Sequence, residues 1–229
     1  MELNDYLLKI LEGYKIDNKD YKILKQLSVE FAIPSEILIS IYLIETTYRR
    51  RRFRLAEYII VLIRLILSIS LKVPLPNYTI GKSQIGLGVI LNFFGFKNCY
   101  TYSVEIRDVN LSQAFSIIKS FLWKNNSRIF AWRIACLAKL CNAPNYYSMI
   151  RLIGTYYNGK LTYGLILEKL VKIITEINVS IHDKNIHLHE HMYNIVNIIY
   201  GGESHEGILL TAANYGIERG DNFEKFRHY

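Results

Sequence analysis

The chain is poor in the residues that tie small proteins together covalently. Its three cysteines, Cys99, Cys136 and Cys141, form an odd set with no C-x-x-C pair. That pattern suggests neither a disulfide framework nor a zinc ribbon, and Cys136 and Cys141 are expected to pack as small apolar side chains. Strand-like alternation is also missing, so no central sheet is expected and the fold class is mainly α. The opening M-E-L-N-D-Y-L-L-K-I lacks the basic start and continuous apolar run of a cleavable secretory signal. A site of action outside the cytoplasm therefore implies delivery by another route. The most apolar run, L-A-E-Y-I-I-V-L-I-R-L-I-L-S-I-S-L from Leu55, approaches membrane-spanning length but is interrupted by Glu57 and Arg64. A charge near the middle of a span costs about 2.5 to 3.5 kcal/mol, so this run reads as a buried core helix and no transmembrane span is expected.

What is present is ample apolar material and an excess of positive charge. With 51% hydrophobic residues among 229, one sizeable domain can fill a real core. Lysine and arginine number 28 against 20 aspartates and glutamates, a net +8. The excess favours an acidic partner: nucleic acid, anionic lipid or an anionic wall polymer. Much of it lies in R-R-R-R-F-R, Arg49 to Arg52 with Arg54, which reads as a solvated face or as a contact for phosphate or anionic polymer.

Along the chain, helices are expected near Asp5–Gly13, with Leu7, Leu8 and Leu11, and over Asp17–Phe31, with Ile23, Leu24 and Leu27. After Pro34 a third helix spans Ser35–Tyr48, its Ile37, Ile41, Ile44 and Tyr48 at helical spacing. The F-A-I-P-S-E link also permits a helix-turn-helix reading, although the apolar second helix offers few side chains for base edges. Pro74 and Pro76 end the next helix. The following P-N-Y-T-I-G-K-S-Q-I-G-L-G is rich in glycine, and it lacks the order G-x-x-x-x-G-K-[ST] of a phosphate loop. Helices are then expected over Leu111–Trp123, Phe130–Leu140, from about Tyr146, and over Leu165–Ile177, with turn signals at Gly154 and Asn158-Gly159. The organisation is an N-terminal helical segment (1–24), a central domain (25–177) and a C-terminal extension (178–229) packed on that domain. All six histidines lie in the extension. Their spacing permits metal binding through His182, His187 and His191, but it does not match H-E-x-x-H, and no metal or other cofactor is expected.

One carboxylate stands apart. Glu45 lies in the last turn of the apolar Ser35–Tyr48 helix, where the negative end of the helix dipole and partial desolvation both favour the neutral acid. A general acid needs that environment near neutral pH. The competing role is a solvent-facing carboxylate bonded to a nearby arginine. Arg49 stands four residues on, and pairing with it would lower the acid's pKa.

Three separated segments, I-E-T-T-Y at 44–48, T-I-G-K-S-Q-I-G at 79–86 and Y-Y-N-G at 156–159, resemble in order the motifs of the lytic transglycosylase and goose-type lysozyme superfamily. Those motifs are a helix-terminal E-S/T, a loop G-L-M-Q-[IV], and A-Y-N-G-G. Thr46 stands where the family usually has serine, Lys82 where the loop has an apolar residue, Tyr156 where it has alanine, and Lys160 where it has the second glycine. The resemblance implies a lysozyme-like helical domain with a cleft, acting on the β-1,4 bond between N-acetylmuramic acid and N-acetylglucosamine. Glu45 would be its catalytic acid and base. Thr46, Ser83, Gln84, Tyr157 and Asn158 would bind substrate, Ser83 and Gln84 at the sugar and its acetamido group, Tyr157 and Asn158 in support of the acid and the glycan. A second carboxylate, with Glu57, Glu105 and Asp108 as candidates, can be replaced in such enzymes by a substrate acetamide or hydroxyl. The implied partner is a peptidoglycan strand, with a secretion or lysis apparatus for delivery. The alternative is a non-catalytic basic helical module, either a nucleic-acid binder or a lysozyme-like assembly protein.

Overall fold

Ile37, Leu38, Ile39, Ile41, Leu43 and Ile44 follow one another on a single helix, and none is more than 2% exposed. A helix apolar on every side must be covered on every side, so the chain is wrapped around this one. The computed structural model describes residues 7, 9, 10, 16–48, 51–96 and 105–181, without the side chains of 48, 51–53 and 176–181. Eight helices have described bounds: α1 (Asn18–Phe31), α2 (Ser35–Tyr48), α3 (Arg51–Leu71), α4 (Leu87–Phe93), α5 (Leu111–Lys119), α6 (Trp123–Leu140), α7 (Tyr146–Asn158) and α8 (Leu161–Ile181). Four two-residue strands form two antiparallel pairs, β1 (Leu75–Pro76) with β4 (Glu105–Ile106) and β2 (Thr79–Ile80) with β3 (Ile85–Gly86). The fold is mainly α, as the missing alternation predicts.

Local chemistry sets the helix ends. Asp17 caps α1 by accepting from the Lys19 amide, and Ala32 closes it in the left-handed region at φ 52°, its amide bonding the carbonyls of Ser28 and Val29. The Ile33 amide reaches back to the Ser28 carbonyl and Pro34 follows, so the chain reverses and α2 packs against α1. Asn110 and Gln113 form a reciprocal capping box on α5. Asn145 caps α7 by accepting from the Ser148 amide, and Gly159 at φ 78° ends it.

The largest helix pairing is α7 against α8. Gly154 and Gly164 make it possible, because a β-carbon on Gly154 would lie 2.8 Å from the Gly164 Cα. Gly154 is therefore a helical close-approach residue and not the turn its type suggests. Buried Glu168 of α8 then bonds Arg151 Nε of α7 at 2.6 Å and Lys172 Nζ at 3.0 Å.

Two further expectations are corrected. The Leu55 run is not a buried core helix: Val61, Leu65 and Ser68 are buried, whereas Leu55, Ile59, Ile63 and Ile66 are at least half exposed. Helix α6 begins at Trp123, seven residues before the predicted Phe130, because the polar K-N-N-S turn is helical, with Asn126 and Ser127 buried in the domain. Positions 24/25 lie within α1 and positions 177/178 within α8. Helix α2, the second helix of the helix-turn-helix reading, is buried from Ile37 to Ile44. No helix among the described residues is long and apolar enough to cross a membrane. Cys99, Arg49, most of the Asp5–Gly13 helix and all six histidines lie outside the described residues.

Candidate functional site

The hairpin β2–β3 is built around a strained four-residue loop. Gly81 adopts φ 82° and Gln84 φ 51°, a region costly for any residue with a β-carbon. At Gly81 a β-carbon would lie 2.4 Å from the side-chain amide of buried Asn126, so any other residue there has to displace that side chain as well as bear the positive φ. The Gln84 side chain ties the loop to itself, its Nε2 donating to the Gly81 carbonyl at 3.0 Å and its Oε1 accepting from Thr79 Oγ1 at 2.8 Å.

Two tethers hold this loop on the helices. On one side Lys82 pairs with Asp20 of α1, which also accepts from the Tyr42 hydroxyl of α2. Asp20 is 3% exposed, so both partners serve to compensate a carboxylate removed from water. Lys82 Nζ also sits 5.0 Å from the centre of the Trp123 ring. Burial first, and the bond to Asp20 second, raise the Tyr42 pKa far above its ordinary value, so the hydroxyl remains a neutral donor. On the other side the Tyr157 hydroxyl of α7 donates to the Ser83 carbonyl. Its pKa is pushed well up, chiefly by burial and then by the negative charge of Glu45, with Arg133 opposing.

Glu45 reaches the same place from the end of α2. Its Oε1 accepts from the Tyr163 hydroxyl of α8 at 2.8 Å, and the Tyr163 ring lies 6.0 Å from that of Tyr157. Between these groups opens a cavity of about 480 Å³, lined by Ile44, Glu45, Thr79, Gln84, Tyr157, Asn158, Lys160, Thr162, Tyr163 and Ile166. Its size falls within the roughly 300 to 1,000 Å³ of small-ligand sites. Its walls combine apolar surface from Ile44, Ile166 and the tyrosine rings with an acid, two amides, two hydroxyls of threonine and one ammonium group.

Of the residues singled out in the sequence, Glu45, Gln84, Tyr157 and Asn158 meet at this cavity although 113 positions separate the first from the last. Thr46 and Ser83 do not line it. The Thr46 hydroxyl turns back to the Tyr42 carbonyl at 2.7 Å, a bond open to any helical threonine. The Ser83 side chain is fully buried, and its Oγ has no hydrogen-bond partner; that residue serves the site through its carbonyl. Nor do Glu57, Glu105 or Asp108 reach the cavity, so among the described residues Glu45 is the one carboxylate in its lining. Sequence reasoning gave Tyr163, Lys160 and Thr162 no place in the site. A signal for them was present, since T-Y at 162–163 and K at 160 directly follow the Asn158-Gly159 turn that carries the third segment.

The arrangement can transfer a proton to a bound ligand from one carboxyl group oriented by a phenol, beside amide groups suited to an acetamido or hydroxyl partner. Compared with known proteins, the chain matches no family model, no curated protein and no solved structure.

Proposed function

We propose that this protein cleaves peptidoglycan glycan strands at the β-1,4 bond between N-acetylmuramic acid and N-acetylglucosamine, with Glu45 as the single general acid and base. The observation that carries the reading is the meeting of Glu45, Gln84, Tyr157 and Asn158 in one cavity, from the three segments that carry the sequence resemblance. Glu45 protonates the leaving glycosidic oxygen. Its carboxylate then takes the proton from the muramyl 6-hydroxyl, which closes an anhydro ring, or from water, which completes hydrolysis. A lone carboxylate in the lining suits this chemistry, because the substrate supplies the group that a second carboxylate provides in ordinary glycosidases. Tyr163 orients the acid, Gln84 meets the acetamido group, and Tyr157 fixes the loop that carries Gln84. A secretion or lysis apparatus delivers the protein to the wall.

The experiment is digestion of purified peptidoglycan followed by mass spectrometry of the soluble products. Anhydromuramyl or reducing-end muropeptides are expected from the parent chain, and none from Glu45→Gln. Equal product from both removes Glu45 from the mechanism; no product from the parent between pH 4 and 9 disposes of the glycosidase reading.

A further inference from the structure

Lys160 is the one cation in the cavity lining among the described residues. It stands where the lytic transglycosylase motif has its second glycine, so its charge belongs to this chain and not to the resemblance. The backbone around it is fixed on both sides. Gly159 turns at φ 78° to end α7, and the Lys160 carbonyl then accepts from the amides of Tyr163 at 3.1 Å and Gly164 at 3.4 Å, which leads the chain directly into α8. Lys160 therefore shares one short stretch of wall with Tyr163, whose hydroxyl bonds the Glu45 carboxyl. Lys160 itself is exposed, and it pairs with no carboxylate among the described residues. The cavity thus offers a solvated ammonium group beside the acid and the amides.

What that group can recognise follows from the substrate chemistry, and here the inference rests on the glycan-cleaving reading above. In an intact strand the lactyl group of each muramyl residue is amide-bonded to a stem peptide and carries no charge. Hydrolysis of that amide by water releases the peptide as an amine and leaves a carboxylate on the sugar. The carboxylates of an intact strand lie on the stem peptide instead, two or more residues out, which is roughly 7 Å further at full extension. An ammonium group in the same cavity as the acid is placed for the carboxylate that the sugar itself bears, and a flexible lysine can pair with it as a point charge. The net +8 of the chain acts in the same direction, because a strand stripped of its peptides carries one negative charge per disaccharide.

We propose that Lys160 selects glycan strands whose muramyl lactyl group is a free carboxylate, so that this protein acts after an amidase-type hydrolysis has removed the stem peptides. Calorimetry on the full chain carrying Glu45→Gln, which prevents turnover, tests this. The probes are two tetrasaccharides of alternating N-acetylglucosamine and N-acetylmuramic acid, one with free lactyl carboxylates and one with the same groups as methyl amides. The carboxylate form is expected to bind roughly 3- to 5-fold more tightly at low salt, and the preference should fade in about 0.5 M salt. Lys160→Met should abolish the preference, and Lys160→Arg should keep it. In digestion, the parent should cleave amidase-treated peptidoglycan faster than intact peptidoglycan. The proposal is overturned by equal binding of the two forms, by binding of neither, or by a preference that survives Lys160→Met. Faster cleavage of intact strands overturns it too, in favour of a carboxylate on the stem peptide. A preference that depends on Lys160 without cleavage of any strand sinks the glycosidase reading and leaves the selection standing; cleavage with equal binding does the reverse.

Discussion

The hydroxyl of Tyr163 and the carboxyl of Glu45, 118 residues apart in sequence, are joined by a hydrogen bond of 2.8 Å. It links the end of the buried α2 to the start of α8, and it helps to direct the one acid among the described residues of the cavity lining. Hydrogen bonds to a charged group are worth about 1.5 to 3 kcal/mol. Tyr163→Phe keeps the ring beside Tyr157 and removes only the donor. Turnover on peptidoglycan should fall about 10- to 100-fold, with KM nearly unchanged and the urea midpoint lowered by no more than the worth of that one bond. A large loss of stability in this variant would assign Tyr163 to the core and not to the acid.

The Lys82–Asp20–Tyr42 cluster makes a prediction about folding. Asp20→Ala leaves a buried phenol and a partly buried ammonium group without their acceptor. Removing one partner of a fully buried pair costs about 3 to 5 kcal/mol; here Lys82 is about a third exposed, so a loss of about 2 to 3 kcal/mol is expected in urea denaturation. Tyr42→Phe removes one bond and leaves the ion pair, and should cost about 1 kcal/mol.

Gly164 tests the crossing of α7 and α8. A β-carbon there would lie 2.3 Å from both the Arg151 carbonyl and Thr155 Oγ1. Alanine gains about 1 kcal/mol of helix propensity over glycine, yet overpacking costs about 1 to 3 kcal/mol and backbone at this distance cannot yield without parting the helices. Gly164→Ala should therefore be destabilising on balance, and because Tyr157 and Tyr163 flank the crossing, it should also abolish whatever ligand binding isothermal calorimetry detects in the parent.

Cys141 supplies a pH dependence. Burial raises its thiol pKa to about 11, so folding favours the neutral form. That share of stability is fully present below the ordinary thiol pKa near 8.5 and is lost as pH rises toward 11. The urea midpoint should fall between pH 8.5 and 10.5, and Cys141→Ala should lessen the fall. At pH 8 about one thiol in a thousand is ionised in the fold, so iodoacetamide should label Cys141 far faster in urea than in native buffer.

The core was legible wherever one helix face or one cap carries the information. The isoleucines of α2, the Asp17 cap of α1 and the Asn158-Gly159 stop of α7 each announce themselves within a few residues. What was hidden depends on distant partners. Gly154 has the composition of a turn, and only Gly164 on the facing helix makes it a contact. Lys82 finds Asp20 across 62 positions, a pairing without a local pattern. The outer stripe of α3 could not be told from its inner stripe, because both are isoleucine and leucine at the same period. At the site, the segments that hold Glu45, Gln84, Tyr157 and Asn158 were readable as separate motifs. The turning away of Thr46 and Ser83 was not, since a hydroxyl's direction depends on the backbone atoms that compete for it.

The tether from Lys82 to Asp20 also bears on how short this protein can be made. Any shortened version that starts beyond Asp20, including one cut at the apparent boundary near residue 25, carries a lysine in the loop beneath the cavity with no counter-ion to receive it. Such a fragment keeps every residue that lines the cavity but lacks the anchor that places Gln84, and the smallest useful expression length begins before the Asp17 cap.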